Sequence, residues 1–372
     1  MEAAVYGTGK MASEFVGRIS REHADISIAF FIETNPDKTS FYDRKVISVS
    51  ELEYSDIDKL IIATGWETYE EILTILQESC GWEQNKEKVI YFRALYDPEW
   101  YEGKKVMPYI SVTTKDKLTF VASSKDNVIL NEMEYTKETF SKKMIEKFFE
   151  LSELYYGHRQ GGYFFDLGAN IGTTSIYVRK SRPDLKVVAI EACKENFDLL
   201  RVNCILNQTE DIITELCGLS DQNGFAALQF EDGNCGGTCL VEGTGKEGDV
   251  HTVKLDDYVQ NAGIQMERID YIWMDVEGYE PKVIKGAWEA LSSHKVAMIH
   301  EFTPNAYERM GTLEWYCDNI GNLYQYFIDV DYYMLTGIKL GRPVCEIKDL
   351  VGEMKEKGIP YTNIFLFSGQ EN

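Results

Sequence analysis

The sequence predicts an α/β chain with two parallel sheets, a smaller one first and a larger one of seven strands after it. Three observations carry this. Short apolar runs alternate with segments of helical period along most of the chain. Two of these runs end in a glycine turn that opens a helix, at residues 3–9 and 163–172. In the second half, carboxylates sit just past successive runs.

The chain has 372 residues, 44% hydrophobic and 13% aromatic, enough to fill two modest cores and to exclude a wholly disordered chain. Its 61 acidic against 38 basic residues give a formal net charge of -23. Such a surface repels phosphate backbones and anionic membranes, so neither nucleic acid nor lipid is expected as a general partner. No apolar run approaches the ~20 residues of a membrane span, and the N-terminus has no secretion-signal pattern. A cytoplasmic location is expected. Eight scattered cysteines fit reduced thiols better than a disulfide framework. Cys235 and Cys239 form the one close pair. They lack a second half-site, and read as part of a Gly-rich turn at 233–237.

Residues 3–6 read as a buried strand, Gly7-Thr8-Gly9 as a turn, and 10–19 as a helix with Met11, Phe15, Val16 and Ile19 on one side. Residues 26–32 are a strand that Glu33 ends, before the turn residues Thr34-Asn35-Pro36-Asp37. Strands follow at 46–49, 60–63 and 89–92, with capping-box patterns at Ser50–Glu53 and Thr68–Glu71. This makes residues 1–95 a first domain. Residues 96–125 read as a linker, and residues 117–123 with 126–130 suggest a small hairpin. A strongly amphipathic helix at 141–156 enters a second domain, 126–372. Its strands are expected at 163–167, 186–190, 212–217, 269–274, 296–300, 324–329 and 363–367, with a Gly-rich excursion at 224–248.

Ligands of open parallel sheets sit outside the carboxyl ends of the strands. In the second domain those positions hold Asp166, Glu191, Gly218, Asp275 and Glu301. The first turn, Asp166-Leu167-Gly168-Ala169-Asn170-Ile171-Gly172, has glycines that allow close backbone approach and a helix start that favours a carboxylate. Asp166 suits an amino group, and Glu191 the two hydroxyls of a ribose. Ammonium, carboxylate and ribose together describe S-adenosylmethionine, whereas a pyrophosphate would be repelled by Asp166. Gly168, Asn170, Gly172, Gly218 and Leu219 complete the expected cofactor set.

These segments resemble, in order, the motifs of the FkbM family of methyltransferases. They are Asp166 to Gly172, Ala189-Ile190-Glu191-Ala192, Glu195-Asn196-Phe197 with Leu200 and Asn203, Leu219-Ser220-Asp221, Leu255-Asp256-Asp257, and Ile272 to Glu280. The resemblance spans roughly residues 126–367. It implies a class I methyltransferase seven-stranded sheet, here preceded by a smaller Rossmann-like parallel α/β domain, and O-methylation of a sugar, glycan, nucleotide-sugar or polyketide-like natural product. The family's lysine before the strand-four Asp is replaced here by Trp273. A sugar hydroxyl is a weak nucleophile, so a base or a metal should assist. Asp275, Glu277, His300 and Glu301 are the candidates for catalysis, with His251 a weaker one, although Asp275 or Glu277 could instead cap the following helix, and His300, inside an apolar strand, could be a satisfied core residue. A divalent cation on Asp275, Glu277 and Glu301 is a further expectation.

In the first domain Gly7-Thr8-Gly9-Lys10-Met11-Ala12, with Glu33 at the end of the second strand, matches a dinucleotide fingerprint. Residues 1–92 resemble the small Rossmann-like domain that precedes some sugar-modifying enzymes and binds nucleotide-sugars. Gly7, Gly9 and Glu33 would then line a nucleotide site, or the domain serves docking or self-association. Two other functions compete with methyl transfer: an NAD-dependent oxidoreductase or epimerase using this fingerprint, and a noncatalytic nucleotide-binding scaffold.

Overall fold

The computed structural model describes residues 1–22, 25–78, 81–95, 108–124, 126, 128–231, 234–242, 250–330 and 341–368. The chain divides into two compact units, Met1–Ile110 with Ser123–Val128, and Ser111–Ala122 with Ile129–Asn372.

The first unit holds a six-stranded sheet, β1 (Glu2–Tyr6), β2 (Ser27–Glu33), β3 (Ser40–Phe41), β4 (Arg44–Ser48), β5 (Lys59–Ile62) and β6 (Val89–Tyr91), ordered β3-β4-β2-β1-β5-β6. All its pairings are parallel except β3 with β4. Ala3, Ala4, Val5 and Tyr6 are buried, because the central strand has protein on both faces. The helix Lys10–Glu22 adds Ala12, Phe15 and Ile19 to that core. The capping box lies two residues earlier than its sequence pattern suggests. Ser48 caps and Glu51 reaches back, because the 3-10 turn Val49–Glu51 follows β4 directly. Likewise the helix Trp66–Gln77 starts at Gly65, so Thr68 is inside it and caps nothing.

The expected linker is not structureless where it is described; residues 96–107 and 125 lie outside the described residues. β7 (Tyr109–Thr113) and β8 (Thr119–Ser123) pair as a two-stranded sheet. The hairpin partner of β8 therefore precedes it. Residues 129 and 130, the end of the expected partner, instead open the helix Ile129–Thr136. The reversal is set by Lys117 (φ 64°), whose N–H donates to the Thr114 carbonyl.

Ser111–Ala122 group with the second unit, and two asparagines supply a reason. Asn203, on the helix Lys194–Leu206, accepts from the Val121 N–H (2.7 Å) and donates to the Val121 carbonyl (3.0 Å). Asn207, at that helix's C-cap, does the same with Thr119 (2.8 and 2.7 Å). Two side-chain amides thus stand in for a neighbouring strand along one edge of β8. Asn203 also donates to the Ile171 carbonyl (2.9 Å), tying the glycine turn to the same anchor.

The main sheet contains all seven expected strands: β9 (Tyr163–Leu167), β10 (Lys186–Glu191), β11 (Ile213–Leu216), β16 (Ile269–Met274), β17 (Ala297–Phe302), β18 (Tyr326–Asp329) and β20 (Thr362–Phe367). A two-residue edge strand, β19 (Arg342–Pro343), makes eight, in the order β11-β10-β9-β16-β17-β20-β18-β19. The first five are parallel; β20 runs antiparallel between β17 and β18. From β9 the chain moves outward to β10 and β11, then returns to β16 on the other side. A crevice must open between the carboxyl ends of β9 and β16. The Gly-rich excursion is a second small sheet and not a loop. β12 (Gly218–Leu219), β13 (Gly224–Glu231), β14 (Asn234–Glu242) and β15 (Val250–Val253) are ordered β12-β15-β13-β14. The backbone of Cys235 and Cys239 belongs to β14, which replaces the expected turn; their side chains lie outside the described residues, as do residues 243–249.

Asn203→Ala strips partners from the Val121 N–H and from the Val121 and Ile171 carbonyls together. A loss of about 3 kcal/mol is expected, read as a lower urea midpoint for the second unit.

Candidate active site

The switch-point crevice is walled by two loops that interlock through their backbones. Gly168 (φ 88°) follows β9, and a Cβ added there would lie 1.8 Å from the Asp275 carbonyl oxygen. The Asp275 N–H donates to the Leu167 carbonyl (2.8 Å). Gly168 and Ala169 N–H groups both donate to the Ile190 carbonyl (2.9 Å each). Gly172 (φ 88°) has no room for a Cβ either, because Leu200 Cδ1 would be 2.4 Å away. The sequence reading expected these glycines to admit a ligand. Their missing side chains instead admit the protein's own neighbouring segments.

Three carboxylates meet here. Asp166 is 1% exposed, and its Oδ2 accepts from the Ser175 hydroxyl. Burial, opposed by Ser175 and reinforced by the charges of Asp275 and Glu191, pushes it up to about 7. With so little surface and that partner, Asp166 anchors the start of the helix Thr173–Ser181. It is not the open contact for an amino group that the sequence suggested. Glu191 accepts from the Asn170 N–H at Oε2 (2.8 Å) and the Cys193 N–H at Oε1 (2.7 Å). Burial raises it to about 7 despite those bonds, with Asp275 adding to the shift. The Ala192 N–H also faces the carboxylate, and lone pairs remain on it for a hydroxyl donor. Asp275 keeps solvent access, while the protein around it lifts its carboxyl to about 6. It lines the crevice as the accessible member of the three.

Asn170 sits at φ 49°, and its Oδ1 is buried without a hydrogen-bond partner. A polar atom left so beside three acidic groups marks a site that expects a ligand donor. The set fits S-adenosylmethionine: Glu191 for the ribose hydroxyls, Asn170 Oδ1 for a donor, and Asp275 for a positive charge. Apolar Ala192 and Val276 lie alongside, packed on Tyr279 and on Ala226 and Leu240 of the small sheet.

The remaining expected residues are dispersed. Gly218 and Leu219 form β12, paired with Thr252 and Val253, and both are buried. A Cβ on Gly218 would meet Leu240 at 2.9 Å, so its glycine serves the small sheet and not a cofactor. His300 is 1% exposed with both ring nitrogens engaged. Nδ1 donates to the Glu301 carbonyl (2.7 Å), which leaves Nε2 to accept from the Tyr316 hydroxyl (2.8 Å). Burial lowers it to about 4, so it is neutral and structural; the expectation of a catalytic base at His300 is corrected. Glu277 is half-buried at φ 52° and Gly278 follows at φ 90°. Among the described residues no three His, Cys, Asp or Glu converge as metal donors, so Asp275, Glu277 and Glu301 do not make the cation site expected of them. Trp273, in the lysine position, is buried and meets Phe148 edge-on at 6.3 Å, a packing role. In the first unit, Gly7 (φ 112°) is needed because a Cβ would press on Ala63 and Thr64 at 3.0 and 3.1 Å, whereas Gly9 faces open space. Glu33 Oε1 accepts from the Thr8 hydroxyl at 2.6 Å. Ser175 was not singled out from sequence, and Asn203 and Glu280 stood there only as motif positions without a role. A polar residue at a helix position facing a strand-end acid is the signal that could have found Ser175.

These raised carboxyls link stability to pH. Asp166 moves from 3.8 to about 7, Glu191 from 4.5 to about 7, and Glu280 from 4.5 to about 8. The native state therefore holds protons that the unfolded chain has released, and stability falls as pH rises toward 8. His300, lowered from 6.5 to about 4, acts in the opposite sense below pH 6.5. The carboxyl effect is thus isolated between pH 6.5 and about 8. Thermal scans of the ligand-free protein should show Tm falling across that window, with a shallower slope for Asp166→Asn.

Residues 166–335 match the family model described as Methyltransferase FkbM domain. Methyltransferase sdnD of Sordaria araneosa is 30% identical over 157 residues, which cover 34% of this chain and 61% of that protein. The chain therefore matches less than two thirds of that relative. Among solved structures, precorrin-6y C5,15-methyltransferase from Geobacter metallireducens GS-15 aligns with a TM-score of 0.32 at 12% identity, over 63% of this chain and 92% of that one. M. jannaschii TYW2 in complex with AdoMet aligns with a TM-score of 0.30 at 13% identity, over 71% and 87%. Across residues 166–335, which hold the crevice loops, the chain is similar to the FkbM methyltransferase domain.

Proposed function

We propose that this protein is an S-adenosylmethionine-dependent O-methyltransferase whose acceptor is a hydroxyl on a sugar, glycan, nucleotide-sugar or related natural product. The observation that carries the cofactor is the meeting of Glu191, Asp275 and the buried, unpartnered Asn170 Oδ1 at the switch point of the sheet. The acceptor class rests on the resemblance to the FkbM family. A carboxylate as the accessible polar group suits it, since a hydroxyl must lose its proton as it is methylated.

When bound, S-adenosylmethionine supplies a methyl group made electrophilic by its sulfonium. Everything else falls to the chain. Glu191, fixed by the Asn170 and Cys193 N–H groups, presents its remaining lone pairs to the ribose hydroxyls. Asp275, with its carboxyl at about 6, is mostly ionised at neutral pH and can accept the acceptor's proton at its carboxylate oxygen. The Gly168 turn and the Asp275 backbone hold the main chain that carries that carboxylate in place. Asp166, Ser175 and Asn203 brace the turn from behind.

The competing oxidoreductase or epimerase reading places NAD at the glycine turn of the first unit, beside Glu33. Isothermal titration of the intact protein with S-adenosylmethionine and with NAD separates the two. S-adenosylmethionine should bind, and Glu191→Ala should weaken it at least tenfold, about 1.4 kcal/mol. NAD binding without S-adenosylmethionine binding would sink the proposal. Mass spectrometry after incubation with nucleotide-sugars tests the acceptor, the expected product being a methyl ether; a methyl group found on nitrogen or carbon would overturn the hydroxyl assignment.

A further inference from the structure

We propose that Glu280 is a positioning residue whose side chain shapes the Asp275–Gly278 segment into the wall of the methyl-donor site. The inference rests on the reading of that crevice as an S-adenosylmethionine site.

Glu280 is fully buried at the first position of the helix Glu280–Gly286. A carboxylate there would ordinarily serve its own helix. This one reaches back to the loop. Its Oε1 accepts from the Val276 N–H (3.2 Å) and from the Gly278 N–H (3.3 Å). The two donors flank Glu277, whose φ of 52° is rare for a residue with a long side chain. Gly278 continues in the left-handed region at φ 90°. Two successive left-handed residues turn the chain sharply after β16, and one oxygen atom holds both sides of that turn. The segment is pinned at three further points. Asp275 donates to the Leu167 carbonyl, its own carbonyl abuts Gly168, and a Cβ on Gly278 would lie 2.7 Å from the Ala306 Cβ. Glu280 is the side-chain member of this clamp.

Burial pushes the Glu280 carboxyl up to about 8, helped by the charge of Asp275. At neutral pH it carries a proton. It therefore adds no fourth charge beside Asp166, Glu191 and Asp275. The carboxyl also faces the buried Tyr307 hydroxyl, yet Oε2 makes no close hydrogen bond. An apolar side chain would avoid that defect if the position only filled space. What an apolar side chain lacks is the acceptor for Val276 and Gly278. A glutamine keeps that acceptor at the same reach, whereas an aspartate is one methylene too short.

The test is the affinity of the full-length protein for S-adenosylhomocysteine, measured by isothermal titration well below each variant's Tm. Circular dichroism confirms that each variant is folded. Glu280→Leu and Glu280→Asp should weaken binding at least tenfold, and Glu280→Gln should restore it to within about threefold of the parent. Leucine binding as tightly as the parent would overturn the proposal. So would glutamine binding as weakly as leucine, because loss of the shared acceptor would then not be the cause. Should Glu280→Leu fail to fold, the comparison of Asp with Gln still decides the point. Failure of the parent protein itself to bind S-adenosylhomocysteine would strike the cofactor reading and not this assignment.

Discussion

Gly168 has no side chain, and the Asp275 carbonyl sits where one would be. That backbone contact joins the loop after β9 to the loop after β16, the two strands between which the sheet reverses its winding. A parallel sheet opens a crevice at such a point by topology alone. Here the contact sets how wide the crevice is and where its polar groups stand. Glu191 reaches the Asn170 N–H because the turn is held against Ile190. Asp275 enters the crevice because its own N–H and carbonyl are both engaged with the first turn. An alanine at 168 would meet both a left-handed backbone and a filled position.

The electrostatic cost of the site follows from the same closeness. Burial raises Asp166, Glu191 and Asp275, the charge of Asp275 adds to the shifts of the other two, and Glu280 stays protonated beside them. A folded domain tolerates such crowding where a ligand with positive charge relieves it. The crowded groups are fixed by different partners: a serine hydroxyl for Asp166, two backbone N–H groups for Glu191, and the backbone clamp for Asp275. This explains how the three keep separate roles.

The strands were legible in the sequence because apolar runs such as Phe164-Phe165 and Ile272-Trp273 are buried on both faces, and that pattern survives any tertiary arrangement. The strand-end acids were legible for the same reason, since they interrupt such runs. What a local pattern does not carry is which neighbour fills a gap. Gly168 and Gly218 read alike as ligand-facing glycines, yet one receives the Asp275 carbonyl and the other Leu240. His300 read as a base until Tyr316, sixteen residues on, took its second nitrogen. The β8 partner was mistaken because an Asn side chain can replace a strand edge, and nothing around Asn203 or Asn207 announces it. The Gly-rich stretch hid a sheet because glycine lowers strand propensity while leaving backbone pairing intact.

The placement of β20 bears on how the chain is made. This strand, Thr362–Phe367, lies between β17 and β18 and is buried along nearly its whole length. Until it leaves the ribosome, β17 and β18 each lack their shared neighbour, and Phe302 and Phe327 have an unfinished core around them. The sheet of the first unit needs nothing beyond Tyr91 for its strands. Synthesis therefore separates the two events in time: an early sheet that can close while translation continues, and a late one that waits for an interior strand to arrive after all its neighbours.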